Sequence, residues 1–181
     1  PNYLAQDSRG ILYVSDSGDW DAQDGRIFAH LPSGETLLLE TASFAYPNGL
    51  AIDPIEQLLI VVESSLPGVV SYPLETLLTS PKRSERWLAP PDSIPDGIVR
   101  CADGSVLVTF YQPNMVLHLR EWVLEDLIRD DAGILLRSPT NGAFFGANLD
   151  RLVLANLEGD HLLEVRTHLV GAALVAPRES S

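Results

Sequence analysis

The sequence predicts an all-β fold, a β-propeller of four-stranded blades, and three observations carry that expectation. The first is a fourfold internal repeat in the 181 residues: "PNYLAQDSRGILYVSDSG" from Pro1, "PNGLAIDPIEQLLIVVES" from Pro47, "PDGIVRCADGSVLVTFYQ" from Pro95 and "TNGAFFGANLDRLVLANLEG" from Thr140. Their second residues, Asn2, Asn48, Asp96 and Asn141, are spaced 46, 48 and 45 apart. The second is that each unit runs short strand, turn, denser apolar run ("ILYVS", "LLIVVE", "VLVTF", "RLVLA"). The third is that Gly, Pro, Ser and Asp punctuate the chain at short intervals, with no long stretch of 3.6-residue periodicity. A period near 46 with four short strands per unit is the mark of a propeller blade, not of a stacked helical repeat.

Taken in order, the units fill out as blades. The first adds "GRIFAHL" and "ETLLLE" as third and fourth strands, and the second adds "GVVSYPL" and "ERWLAP". In the third, "REWVLEDLIRD" (120–130) is the one helix-compatible stretch, and it is expected to be a fourth strand running into a polar turn. The whole chain, 1–181, is expected to form one propeller domain with four blades starting near 1, 47, 95 and 140.

Composition excludes several classes of function. Net charge is −13, with Lys82 the only lysine, so a polyanion such as nucleic acid or an anionic membrane surface would be repelled. No apolar run is long enough for a transmembrane helix. No signal peptide is visible at "PNYLAQDSRG", which gives a cytoplasmic expectation. Cys101 is the single cysteine, so no internal disulfide can form.

The repeat also selects the candidate site. Residues at one repeat position of a propeller are related by its pseudo-symmetry, and the first strand of each blade lines the central channel. Four Asn/Asp side chains at the start of four innermost strands would therefore form a ring of oxygen ligands at one channel mouth. Asn and Asp also cap turns through their own backbone, and a symmetric structural turn in every blade is the competing reading.

Other constellations carry less. "SDSGDWDAQDG" (15–25) gathers Asp16, Asp19, Asp21 and Asp24, but lacks EF-hand order and reads as a solvated loop. Its "DSG" lacks the glycine frame of a serine nucleophile, and "WD" does not recur. His30, His118, His161 and His168 form no zinc motif. No P-loop, dinucleotide or G-x-S-x-G fingerprint occurs.

On "YPNGLAID", "IPDGIVRCADGSVLV", "GILYVSDSG…DGRIFAHLPSGE" and "SPTNGAFFGANLDRLVLANLEGDHLLEV" the chain resembles the gluconolactonase family, to which regucalcin and luciferin-regenerating enzyme belong. The resemblance runs over nearly the whole chain. It implies a six-bladed ring of which this chain supplies the last four blades, a divalent cation, and hydrolysis of sugar lactones. It implies Asn48 and Asp96 as metal ligands, with Asp96 also the catalytic residue that activates water, and Asn2 near the substrate. Tyr3 stands where the family has Asp. The family's third ligand, a glutamate in a Glu-Gly-Pro motif near the N-terminus, has no counterpart before Asn2.

The leading expectation is accordingly a metal-dependent lactone hydrolase. The cation polarises the lactone carbonyl, and Asn2 and Asn141 bind sugar hydroxyls. Oxygen ligands favour Ca²⁺, with Mg²⁺ or Zn²⁺ as alternatives. Its partner would be a small sugar lactone. A second copy of the chain, or an N-terminal segment ahead of Pro1, would complete the ring. The alternatives are a non-catalytic propeller that binds a cation or small ligand, and an inactive fragment.

Overall fold

The computed structural model describes residues 1–39, 44–55, 57–121 and 123–174, without the side chains of Glu85 and Arg86. Every regular element among these residues is a β-strand. The chain divides into two compact units, Pro1–Leu88 and Ala89–Ala173. Each contains two antiparallel sheets in meander order, which is the blade of a β-propeller.

Unit 1 holds blades 1 and 2. Blade 1 is β1 (Leu4–Gln6), β2 (Leu12–Asp16), β3 (Arg26–His30) and β4 (Thr36–Leu38). Blade 2 is β5 (Pro47–Asp53), β6 (Leu58–Glu63), β7 (Gly68–Pro73) and β8 (Glu85–Leu88). Alternation along β2 and β3 sends Tyr13, Ile27 and Ala29 inward. There they meet Leu59, Val61, Val70 and Tyr72 of blade 2 in one apolar core. β5 is buried at all seven positions, as expected of a strand covered on both faces.

Unit 2 holds blades 3 and 4. Blade 3 is β9 (Ile94–Arg100), β10 (Val106–Gln112), β11 (Met115–Arg120) and β12 (Val123–Arg129). Within the stretch 120–130, Val123–Arg129 is therefore a fourth strand, as the sequence predicts. Blade 4 is β13 (Pro139–Phe145), β14 (Arg151–Asn156) and β15 (Leu162–Arg166), three strands among the described residues. Its core joins Val99, Leu107 and Val116 to Leu152 and Leu154. At the far end of the unit, Cys101 bridges Gly171 in an isolated antiparallel pair.

Polar locks fix the turns. Asp7, almost fully buried, accepts hydrogen bonds from Arg9 Nε (2.8 Å), the Tyr13 hydroxyl (3.2 Å) and the Ile11 backbone (3.1 Å). In blade 3, Ser105 Oγ donates to Asp103 Oδ1 (2.6 Å) and lies 2.7 Å from His118 Nε2. The serine is thus the middle member of the chain, and among the described residues no carboxylate hydrogen-bonds to the histidine. His118 is a buried core histidine.

Candidate functional site

The innermost strands β5 and β9 carry the same defect at the same place. On β5, Pro47 pairs with Glu63 and Leu50 with Val61, so Asn48 and Gly49 oppose one residue, Val62. On β9, Pro95 pairs with Phe110 and Ile98 with Val108, so Asp96 and Gly97 oppose Thr109. Each Pro-Asn/Asp-Gly motif is therefore a β-bulge, the device that re-aims side chains out of a regular ladder. A turn-like tripeptide can run straight into a strand in this way. In blade 3 glycine is required at the second place. A Cβ on Gly97 would collide with the backbone oxygen of Thr140 and the Cα of Asn141. Ahead of the first bulge, Tyr46 takes φ 57°, a left-handed conformation rare for an aromatic residue. Its ring rests edge-on against Trp20, with centroids 5.0 Å apart.

Within unit 1, hydroxyls stitch the two inner strands together. Ser15 Oγ accepts from the Tyr3 backbone N–H (3.0 Å) and donates to the Asn48 carbonyl (2.9 Å). Ser17 Oγ accepts from Asn2 Nδ2 (2.9 Å) and donates to the Pro47 carbonyl (3.1 Å). Asn48 makes the matching bond in its own blade, Nδ2 to Ser64 Oγ at 3.2 Å. Its other amide atom, Oδ1, is buried without a hydrogen-bond partner. Such an acceptor costs free energy unless something donates to it, so it marks a place for a ligand. Buried Glu63 holds the entry to β5 by accepting from the Ala45 N–H (2.9 Å) and from Arg83 (3.4 Å).

Within unit 2, Thr109 repeats the role of Ser15, accepting from the Gly97 N–H at 3.0 Å. β9 lies against β13, so Asp96 and Asn141 sit on neighbouring inner strands. Asp96 is half-buried, and desolvation pushes its carboxyl up to about 6. No cation among the described residues offsets that burial. The register of Asn141 differs from that of Asn48 and Asp96. It pairs regularly with Ala155, because the irregularity in β13 falls one residue earlier, between Pro139 and Asn141. Its Oδ1 accepts from the following Gly142 N–H at 2.8 Å, which is the turn-capping behaviour weighed against a ligand role.

The structure thus pairs Asn2 with Asn48 in one unit and Asp96 with Asn141 in the other. It also adds residues that the repeat did not single out. Ser17, Ser64, Tyr111 and Asn156 stand 15 or 16 residues after the four Asn/Asp positions, and the first two bind the amide directly. That offset was legible, but the residue types at it vary too much to draw attention. The acidic loop after β2 is solvated, with Asp19, Asp21 and Asp24 exposed. Among the described residues no group of three or more His, Cys, Asp or Glu is placed to hold a metal. The donors that remain, an orphaned amide oxygen and a desolvated carboxyl, are the hard oxygen type that suits Ca²⁺ or Mg²⁺.

Four-stranded meander blades with bulged, polar-tipped inner strands define the chain's class as a β-propeller. No family profile and no curated protein sequence matches it. Among solved structures it is similar to luciferin-regenerating enzyme, with a TM-score of 0.75 at 21% identity over 96% of this chain and 64% of that one. It is similar to a calcium-binding protein, regucalcin, from Agrobacterium tumefaciens (TM-score 0.73, 17% identity, 94% and 62%). A gluconolactonase from Xanthomonas campestris also matches (TM-score 0.67, 20% identity, 92% and 56%). The chain therefore spans about three fifths of the length of these structures. A virginiamycin B lyase from Staphylococcus aureus shares the fold at a TM-score of 0.66, so the likeness fixes architecture and leaves the reaction to the site. No helix among the described residues is long and apolar enough to cross a membrane.

Proposed function

We propose that the chain belongs to a lactone hydrolase of gluconolactonase type, dependent on a divalent cation and acting on a small sugar lactone. The observation that carries the reading is the matched pair of Pro-Asn/Asp-Gly bulges. One presents the partnerless buried Asn48 Oδ1, and the other presents the desolvated Asp96 carboxyl. The likeness to luciferin-regenerating enzyme, regucalcin and gluconolactonase supports the reading by fold, and the gluconolactonase suggests the substrate class.

Asn48 Oδ1 and the Asp96 carboxylate are each proposed to offer an oxygen to the cation, Ca²⁺ first among the candidates. When bound, the cation would act as a Lewis acid on the lactone carbonyl. The other roles belong to the chain itself. In the metal-free chain burial raises the Asp96 carboxyl to about 6, and a bound cation would draw it back down. At pH 7, above a value of about 6, it is mostly ionised and ready to act as a base. The Ser64 hydroxyl fixes the Asn48 amide plane, so the free oxygen keeps one direction. Asn2 and Asn141 are proposed to meet substrate hydroxyls.

The test is turnover of D-glucono-δ-lactone with and without chelator, in the wild-type chain and in Asp96→Asn and Asn48→Ala. The reading expects activity that EDTA abolishes and added Ca²⁺ restores, and a loss of at least about 100-fold in Asp96→Asn. Turnover that survives both EDTA and Asp96→Asn would refute it. A double-mutant cycle on Ca²⁺ affinity shows whether Asn48 and Asp96 act on the same ion.

A further inference from the structure

Blade 3 breaks a rule that blades 1 and 2 obey. In blades 1 and 2, a serine (Ser17, Ser64) accepts from the inner-strand amide (Asn2, Asn48). Blade 3 has Asp96 at the amide's place, and Tyr111 at the serine's place. The tyrosine hydroxyl does not turn back to Asp96. It reaches across to blade 4 and donates to Glu158 Oε1 at 3.1 Å. Tyr111 lies between Phe110, which pairs with Pro95, and Gln112, which pairs with Ile94. It is therefore one step beyond Asp96 at the same end of the blade.

We propose that Tyr111 and Glu158 form a hydroxyl-binding subsite beside Asp96, one that recognises a polyhydroxylated substrate through two adjacent hydroxyl groups. The pair offers two acceptors in fixed relation. Glu158 Oε2 has no partner among the described residues, and the Tyr111 oxygen retains its lone pairs once its proton is given to Oε1. A sugar hydroxyl donating to the carboxylate forms a charge-assisted bond, and a neighbouring hydroxyl donates to the phenol oxygen. An anion gains nothing here, because Glu158 and Asp96 repel it. As a staple between blades the pair would contribute little, since Glu158 is exposed to water and Tyr111 is only half-buried. The subsite deepens the lactone-hydrolase reading and rests on it for the identity of the substrate.

The experiment uses Tyr111→Phe and Glu158→Gln, with two lactones and one non-reacting polyol as probes. D-glucono-δ-lactone carries the hydroxyls and δ-valerolactone lacks them. 1,5-Anhydroglucitol has the hydroxylated ring without the carbonyl, and its binding is read by calorimetry. Each variant should raise KM for gluconolactone about 5- to 50-fold, the loss of one such hydrogen bond. KM for valerolactone should stay within about twofold, and anhydroglucitol binding should weaken by the factor seen with gluconolactone. Equal effects on both lactones, no effect on either, or a wild-type chain that does not bind anhydroglucitol would each overturn the subsite. A wild-type chain that binds anhydroglucitol, loses it in both variants and hydrolyses neither lactone supports the subsite and refutes the hydrolase reading.

Discussion

Replacing Asp96 with Asn should stabilise the protein at neutral pH while removing the group proposed to drive its chemistry. Burial lifts the Asp96 carboxyl from 3.8 to about 6. At about 1.4 kcal/mol per pH unit, that gap represents about 3 kcal/mol of folding free energy forgone when the group is ionised. The side chain keeps some contact with water, which trims the expectation to about 1–3 kcal/mol. The sign follows from proton counting. Below the unfolded value near 4 the group is protonated in both states and costs nothing. Between about 4 and 6 the folded chain holds a proton that the unfolded chain has lost, so stability falls as pH rises. Above about 6 the full cost is present. Asn matches the shape and carries no charge at any of these pH values. Thermal unfolding in EDTA should therefore give Asp96→Asn a higher Tm than wild type at pH 7.5, by roughly 3–10 °C for a chain of this length. The two should coincide at pH 4. A variant that melts lower at pH 7.5, or gains as much at pH 4 as at pH 7.5, would refute the claim that desolvation raises this carboxyl.

Asn48→Ala removes a neutral oxygen but no charge, so Ca²⁺ affinity by titration calorimetry should fall and excess Ca²⁺ should partly restore turnover. Ser15→Ala strips the hydroxyl that serves both the Tyr3 N–H and the Asn48 carbonyl, and urea denaturation should show a loss of about 1–3 kcal/mol. Ser15→Thr should be nearly neutral, because Thr109 fills the same slot in blade 3. Gly97→Ala forces a Cβ onto the backbone of Thr140 and Asn141. It should cost more than about 3 kcal/mol or abolish soluble expression.

Much of this architecture is legible in the residues, because the blade is a local structure. Each meander pairs neighbours in sequence through short turns, so a fourfold repeat of strand–turn–strand fixes the sheet order without long-range information. What escapes is set by the strand opposite. Pro47-Asn48-Gly49 and Pro95-Asp96-Gly97 become bulges because two residues face one partner across the ladder. Thr140-Asn141-Gly142 looks like the same motif, yet its irregularity falls earlier and leaves Asn141 in register with Ala155. Nothing in the tripeptide announces that difference. Blade 4 shows three strands among the described residues where the repeat suggests four. The direction of the Tyr111 hydroxyl is equally hidden, since its partner Glu158 belongs to the next blade's turn.

The balance of donors and acceptors explains why one blade carries an acid where its neighbours carry amides. In blades 1 and 2 the amide nitrogen is consumed by a serine, and Asn48 is left with an acceptor. In blade 3 the inner residue has only acceptors when ionised, and Tyr111, which stands at the serine's repeat position, directs its hydroxyl to Glu158. Each bulge, in its own unit, therefore presents acceptor oxygen. An acceptor of this kind is complemented by a cation or by a ligand hydroxyl and is hostile to phosphate or carboxylate, a bias that the net charge of −13 reinforces. Converting Asp96 to Asn would also add a donor, changing the hydrogen-bond pattern of the site as well as its charge. Asp96→Ala, which is neutral and brings no donor, separates the two effects. If charge dominates, Ala and Asn should both stabilise the metal-free chain at pH 7.5 relative to pH 4. If the added donor matters more, Asn should stabilise it and Ala should not.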